Sequence, residues 1–301
     1  MNTFRVASVQ FELRAEKSVS GFLGHVESLV KKAKDGEAEL VVFPELASTG
    51  LLAAISDHLV TSETIKSDYW HFLAPLTDQI IEGLSQIAKE NNIYVLGGSH
   101  NRIADDGTLR NTAVLAHPDG SVEMQDKLHL TPPEVDLGAV GGNHVLVTQI
   151  GPFKAGVLIC ADIQFPELSR HLVSKGVELI LCPSLTWNRR GVFRVKTGCS
   201  ARAVENQMFV VMSPLVGNSG LPADGVLYAV GRSLVTAPVD KNFGLNDGML
   251  ADETREGEQV LFADLDREQL LTSRENPEAP GIKLQRPELY KRLQEDELVI
   301  R

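Results

Sequence analysis

The stretch 156-GVLICADIQFPELSRHLV-173 decides how this chain is read. Gly156, Val157, Leu158 and Ile159 form a short apolar run of the kind that fills a buried strand. Phe165-Pro166-Glu167 then opens an amphipathic segment that continues through Leu168 and Leu172. Proline suits a first helical turn, where its missing N–H has no partner to lose. Cys160 therefore sits where a strand has ended and a helix is about to begin. A cysteine in that place is either a small core hydrophobe or a nucleophile held at a sharp turn.

Working outward, strand-like and helix-like segments alternate. Before the turn, 144-HVLVTQI-150 and 153-FKAGVLIC-160 form a strand pair around Gly151-Pro152. After the helix over 165–175 come a strand at 177-VELILCPS-184, a helix at 193-FRVKTGCSARAVENQ-207 and a strand at 208-MFVVMSP-214. Nearer the N-terminus, 4-FRVASVQF-11, 38-AELVVFPE-45 and 93-IYVLGGSH-100 predict strands, separated by helices over 19–35 and 76–92. The run 111-NTAVLAHPDGSVEMQDK-127 predicts two strands around Pro118-Asp119-Gly120. Further short strands are expected within 225–236 and 258–264. The stretches 214–224 and 238–257, rich in Gly, Pro, Asn and Asp, are expected to be long surface loops. Hairpins mixed with crossover helices predict an α/β layered fold with mixed sheets. The domain is expected to span 1–275. The charged end 286-RPELYKRLQEDELVIR-301 predicts a helical tail over 276–301.

Composition narrows the function. The 301 residues are 43% hydrophobic and 23% charged, as in a soluble protein with a sizeable core. A formal net charge of −11 argues against binding nucleic acid or an anionic membrane surface. The start, MNTFRVASVQFEL, has the pattern of a strand rather than a secretory signal, and no apolar run is long enough to predict a membrane helix. Three cysteines without a Cys-x-x-Cys pair predict free thiols and a reducing, cytoplasmic setting.

Three strand ends carry reactive side chains: Glu45 in 41-VVFPELASTG-50, Lys127 in 124-MQDKLHLTPPE-134, and Cys160. In open α/β sheets, ligands gather outside such strand ends. Singly, each has a plain alternative: a solvated turn glutamate, a surface lysine, a packed cysteine. Cys182 and Cys199 fit the packed description. The histidines are scattered without metal-binding spacing, so no metal site is expected, and His129 is expected to pack or hydrogen-bond beside Lys127. Gly97-Gly98 and Gly141-Gly142 predict turns rather than a phosphate loop.

Together the three stretches FPEL, DKLHL and CADIQFPEL resemble the three signature regions of the nitrilase superfamily of carbon–nitrogen hydrolases, in the family's order. SARAVENQMFVV is similar to the family's helix and strand downstream of the cysteine, so the resemblance covers roughly residues 4 to 266. More narrowly, KLHLTPPE and PSLTWNRRGVFRV resemble an amidase-like branch, some members of which are fused to an acetyltransferase domain. The resemblance implies a four-layer αββα sandwich of two mixed sheets and a Glu45-Lys127-Cys160 constellation. It places a second glutamate at Glu134 and an oxyanion-binding backbone N–H at Ala161, where relatives often carry an aromatic residue. It also implies pairing into a homodimer or larger homo-oligomer, for which the helices over 165–175 and 193–206 are the candidates.

The chemistry agrees with that reading. Cys160 would attack, aided by a helix N-terminus that favours its thiolate. Glu45, its pKa raised by burial, would move the protons. Lys127 and the Ala161 N–H would hold the oxyanion. No cofactor is called for, and the substrate is expected to be a small amide- or carbamoyl-type molecule. A nitrilase acting on C≡N and a catalytically silent binding scaffold remain as alternatives. For Trp187 and Arg189, in the WNRR stretch, two readings stand: a substrate-shaping wall, with an arginine for a carboxylate, or an exposed basic loop.

Overall fold

The computed structural model describes residues 3–294. In chain order these form β1 (Thr3–Leu13), α1 (Val19–Asp35), β2 (Leu40–Val42), α2 (Ile65–Asp68), α3 (Thr77–Asn91), β3 (Tyr94–Ile103), β4 (Leu109–Ala116), β5 (Val122–Asp126) and α4 (Pro132–Leu137). Then follow β6 (Val147–Ile150), β7 (Phe153–Val157), α5 (Pro166–Ser174), β8 (Leu179–Ser184), α6 (Arg189–Asn206) and β9 (Phe209–Gly217). The remainder is β10 (Leu234–Thr236), β11 (Met249–Asp252), β12 (Gln259–Asp266), α7 (Arg267–Glu275) and α8 (Pro287–Gln294).

The strands build two mixed sheets. One runs β12-β1-β2-β3-β4-β5, the other β11-β10-β9-β8-β7-β6. They meet where the end of β1, Phe11–Leu13, pairs in parallel with Leu215–Gly217 of β9. Period-two alternation explains why both faces of each sheet are apolar. Leu40 and Val42 of β2 face the second sheet, in one cluster with Val157 and Leu181. Val41 and Phe43 face the other way, against Phe22, Val26 and Val30 of α1 and Leu84 and Ile87 of α3. On the far side, Leu172 of α5 and Val195, Cys199 and Ala203 of α6 cover the second sheet. This is the expected helix–sheet–sheet–helix layering. Each fully buried aliphatic side chain in it contributes about 1.5–3 kcal/mol.

Local chemistry sets the ends of the elements. Ser18 caps α1 by accepting the Gly21 N–H at 3.0 Å, and Lys32 and Lys34 sit in its last turn, where cations suit the helix dipole. The helix α6 begins at Arg189, four residues before the expected Phe193, because Asn188 accepts the Gly191 N–H at 3.0 Å and closes the N-terminus there. The WNRR stretch is thus a helix start, not a free loop. Gly97-Gly98 is not a turn: it lies inside β3, where the register to β4 shifts between Leu96 and Ser99. The stretch 238–257 is not loop throughout, since β11 lies in it and pairs with β10. Of the expected tail, α8 is described; residues 295–301 lie outside the described residues.

Candidate active site

Glu45 leaves β2 along a path fixed by β3. The Phe43 N–H donates to the Leu96 carbonyl at 2.8 Å, and Ser99 N–H donates to the Pro44 carbonyl at 3.1 Å. A Cβ at Gly98 (φ +75°) would lie 2.0 Å from that same Pro44 oxygen, so only glycine permits the approach. Leu46 then adopts φ 53°, with its N–H on the Ser99 hydroxyl at 2.9 Å. These contacts aim the Glu45 side chain inward, where it is 3% exposed.

Lys127 follows β5 directly. Its N–H donates to the Asn111 carbonyl and its carbonyl accepts from the Gly142 N–H, each at 2.8 Å. A Cβ at Gly142 would meet Asp126 at 2.8 Å, which explains a glycine there: it lets the chain pass against the lysine's backbone. Glu134 sits in the first turn of α4, which opens on Pro132 and Pro133, and it reaches back to Thr131 in a capping box. Its Oε2 accepts from the Thr131 N–H at 2.9 Å and the Thr131 hydroxyl at 2.7 Å.

Cys160 begins a short 3-10 turn, Cys160–Gln164, with φ 47°. A side chain in the left-handed region is strained, and the surrounding bonds hold it there. Upstream, Leu158 N–H donates to the Leu181 carbonyl at 3.0 Å. Downstream, the buried Asp162 carboxylate accepts from the N–H groups of Ile159 (3.2 Å), Leu128 (3.2 Å) and His129 (2.7 Å). Asp162 therefore ties the cysteine turn to the loop that carries Lys127.

The four side chains predicted for the site meet. Lys127 Nζ donates to Glu45 Oε1 and to Glu134 Oε2, both at 2.6 Å. Leu185, just past β8, binds the other two partners through its backbone. Its N–H donates to Glu45 Oε2 at 3.0 Å, and its carbonyl accepts from Cys160 Sγ at 3.4 Å. Burial raises the Glu45 pKa above its ordinary value, Lys127 opposing and Glu134 adding to the rise. Burial also works to raise Glu134, but Lys127, Asn111 and Thr131 outweigh it and the net shift is downward. For Lys127 burial favours the neutral form, yet the charges of Glu45 and Glu134 prevail and its pKa rises, so it stays a cation.

Cys160 departs from expectation. Burial, and after it the Glu45 charge, push its thiol well above the usual range despite Lys127. No long helix starts at it either: α5 begins six positions on, at Pro166. The resting group is a thiol that needs a base beside it, not a preformed thiolate.

The remaining expectations divide. Ala161 lies in the turn next to Cys160. Trp187 is half-exposed, two residues beyond Leu185. Arg189 lines a cavity of about 500 Å³ with Phe193, Lys196, Tyr228 and Arg232, a cavity that Glu45, Lys127 and Cys160 do not line. His129 stacks on Phe165 at 3.6 Å between ring centroids, with Nδ1 3.1 Å from Asp162 Oδ1, so it packs and bonds beside Lys127 as expected. Cys182 and Cys199 are fully buried in the core cluster. Three residues at the site were not anticipated. Asn111 and Asp162 were detectable in principle, as polar side chains placed in or next to apolar runs. Leu185 acts through its backbone and leaves no side-chain signal.

The Carbon-nitrogen hydrolase family model matches residues 5–274, and the chain belongs to that family. It is 32% identical over 288 residues to "Probable hydrolase YhcX" of Bacillus subtilis (strain 168), covering 95% of this chain and 54% of that protein. It therefore spans about half the length of that relative. It is 28% identical over 307 residues to the mouse omega-amidase NIT2, covering 96% of this chain and 98% of the other. In fold it matches a solved amidase from Nesterenkonia sp. AN1 in complex with acrylamide, with a TM-score of 0.74 at 21% identity and 97% of each chain covered.

Proposed function

We propose that this protein hydrolyses the carbon–nitrogen bond of a small amide through a thioester on Cys160. The observation that carries the reading is the buried contact set in which one lysine joins two carboxylates, at 2.6 Å each, beside the cysteine turn. The Cys160 thiol passes its proton to Glu45 as sulfur bonds the carbonyl carbon, and the C=O electron pair moves onto oxygen. Lys127 has three N–H donors and spends two on Glu45 and Glu134. The third, with the Ala161 N–H, stabilises the oxyanion. Collapse breaks the C–N bond, and Glu45 returns its proton to the departing nitrogen. Water, deprotonated by Glu45, then attacks the thioester. The C–S bond breaks, the thiol recovers its proton, and a carboxylate leaves.

The raised pKa of Glu45 supports this cycle, since a carboxylate that both takes and gives protons works best nearer neutrality. Glu134 orients Lys127 and, held low, keeps its charge through the cycle. Trp187, two residues beyond Leu185, and Arg189, on the separate cavity beside α6, are the substrate-binding candidates. Named relatives include amidases and, at 29% identity over 272 residues, a nitrilase of Pyrococcus abyssi. The test is a panel of small amides, carbamoyl compounds and nitriles with intact-mass detection of the acyl-enzyme. A thioester adduct on Cys160 from an amide is expected. Turnover of nitriles alone assigns the nitrilase alternative, and no turnover with no adduct leaves the binding scaffold.

We further propose that two copies pair through α5 and α6. Phe193 and Val204 of α6 and Phe165 at the head of α5 are large apolar side chains left exposed. Light scattering giving a monomer at micromolar concentration would overturn this. Three free thiols fit a reducing cytoplasm. Placement in the branch with acetyltransferase-fused members is supported by KLHLTPPE and PSLTWNRRGVFRV and by a B. subtilis relative that extends well beyond the matched region.

A further inference from the structure

We infer that Asn111 is a positioning residue that holds the Glu45 and Glu134 carboxylates in place around Lys127 and sets how readily Glu45 takes up a proton. The inference rests on the reading of Glu45 as the base for Cys160. Asn111 lies on β4, fully covered, opposite Asn101 of β3. Its Nδ2 donates to Glu45 Oε1 at 3.0 Å and to Glu134 Oε1 at 2.7 Å. Both hydrogens of the amide are thereby used, one on each carboxylate. Its Oδ1 has no hydrogen-bond partner among the described residues. The flipped amide would turn that oxygen toward two carboxylates, so the network itself fixes the orientation. Its backbone carbonyl accepts the Lys127 N–H at 2.8 Å. One residue thus touches both carboxylates and the backbone of the lysine that joins them.

Two carboxylates that share a lysine repel each other, and a neutral linker carrying two donors on one atom reduces that cost without adding charge. A serine can give only one such bond, and a leucine none. The titratable and charged groups that face this point are Glu45 past β2, Lys127 just past β5, Glu134 in the first turn of α4, and Cys160 and Asp162 of the cysteine turn. Tyr69 lies near Glu134, and Arg102 is paired with Asp126 at 2.9 Å on the adjoining strands. Losing the Asn111 donor disfavours ionised Glu45, so the pH at which Glu45 begins to act as a base rises.

The test measures the pH dependence of Cys160 alkylation by iodoacetamide, followed by intact mass, in the wild type, Asn111→Leu and Asn111→Ser, beside amide hydrolysis and thermal midpoints. The acidic limb of the alkylation profile is expected to move up by about one pH unit in Asn111→Leu, the size of losing one charge-assisted hydrogen bond, and by less in Asn111→Ser. Limbs that stay in place while the midpoint falls make Asn111 merely structural and overturn the inference. Should Asn111→Leu not fold, the serine variant decides alone by the same criterion. A wild type that hydrolyses no amide, with the limbs still displaced, sinks the proposed function and leaves this inference standing. Hydrolysis in the wild type with unmoved limbs does the reverse.

Discussion

The strand end that carries Glu45 and the helix turn that carries Glu134 pose the same problem and solve it differently. Both carboxylates are buried, both bind Lys127 at 2.6 Å, and both take an N–H from Asn111. Yet one is shifted up and the other down. The remaining donors account for the difference. Glu134 adds the Thr131 N–H and hydroxyl, in a capping box that its own helix supplies. Glu45 adds only the Leu185 N–H and faces Cys160 instead of a further donor. Burial and the neighbouring Glu134 charge lift Glu45, whereas the added Thr131 donors help hold Glu134 low; the shared cation does not by itself separate a group that exchanges protons from one that stays charged.

The largest expected effect follows from that division. Glu45→Gln should lower kcat by about 10²–10⁴-fold, the ordinary worth of a general acid–base. Glu134→Gln leaves the proton carrier in place and should cost about ten- to a hundredfold, or about 1.4–2.8 kcal/mol of transition-state stabilisation. Single-turnover acylation rates compare the two directly. A Glu134 variant as damaged as the Glu45 variant would erase the distinction.

Lys127→Met comes next. Removing an oxyanion donor costs about 10²–10³-fold in kcat. Because the lysine also neutralises two buried carboxylates, the variant should lose about 3–5 kcal/mol of stability as well. A drop in kcat with an unchanged thermal midpoint would mean that Glu45 and Glu134 find other partners. An unchanged acylation rate would remove Lys127 from the reaction.

How much of this was legible in the sequence depends on what each residue uses to act. Glu45, Lys127 and Cys160 act through side chains at strand ends, and apolar runs ending in a reactive residue mark such places. The layering was legible for the same reason: β2 and β8 are apolar on both faces, so a further layer, helix on one side and sheet on the other, must cover each. Leu185 acts through its N–H and carbonyl, which every residue type shares, and so leaves no trace in composition. The protonation of Cys160 is not legible, because it depends on depth and on the approach of Glu45, neither of which is local in sequence. The sequence does not tell the irregularity at Gly97-Gly98 from a turn, because a glycine pair looks the same in both. Only the position of the Pro44 carbonyl tells them apart.

Thiol chemistry gives a smaller effect that sharpens the role of Glu45. Cys160 is 6% exposed, whereas Cys182 and Cys199 are at 0%. Cys182 is also held well above the usual thiol range, first by its hydrogen bond with Cys199 and then by burial. Brief alkylation of the folded protein should therefore label Cys160 first, with activity lost in step, and Glu45→Gln should slow that labelling near neutral pH. Equal labelling rates in wild type and Glu45→Gln would show that the thiol ionises without the carboxylate.

The smallest effect is the one most particular to this pair, because it has opposite signs. A carboxyl whose folded pKa is raised, as in Glu45, favours folding below its ordinary value of 4.5 and loses that contribution as pH rises through the folded pKa. One whose folded pKa is lowered, as in Glu134, favours folding above 4.5 and loses the contribution as pH falls through the folded pKa. Above its raised folded pKa the ionised Glu45 therefore costs stability, and at pH 7 the ionised Glu134 supplies it. Glu134→Gln should lower the thermal midpoint there by a few degrees, at about 2 °C per kcal/mol for a chain of this size. Glu45→Gln should leave the midpoint unchanged or slightly raised. Its new amide nitrogen faces the Leu185 N–H, and that lost acceptor, worth about 1 kcal/mol, offsets part of the gain. As pH is lowered to 4.5 the two midpoints should draw together because Glu45 takes up its proton, and below 4.5 they should converge further as Glu134 follows. Parallel midpoints across that range, or equal losses in both variants at pH 7, would mean that the two carboxylates share one proton affinity and that the extra donors on Glu134 do not set its charge.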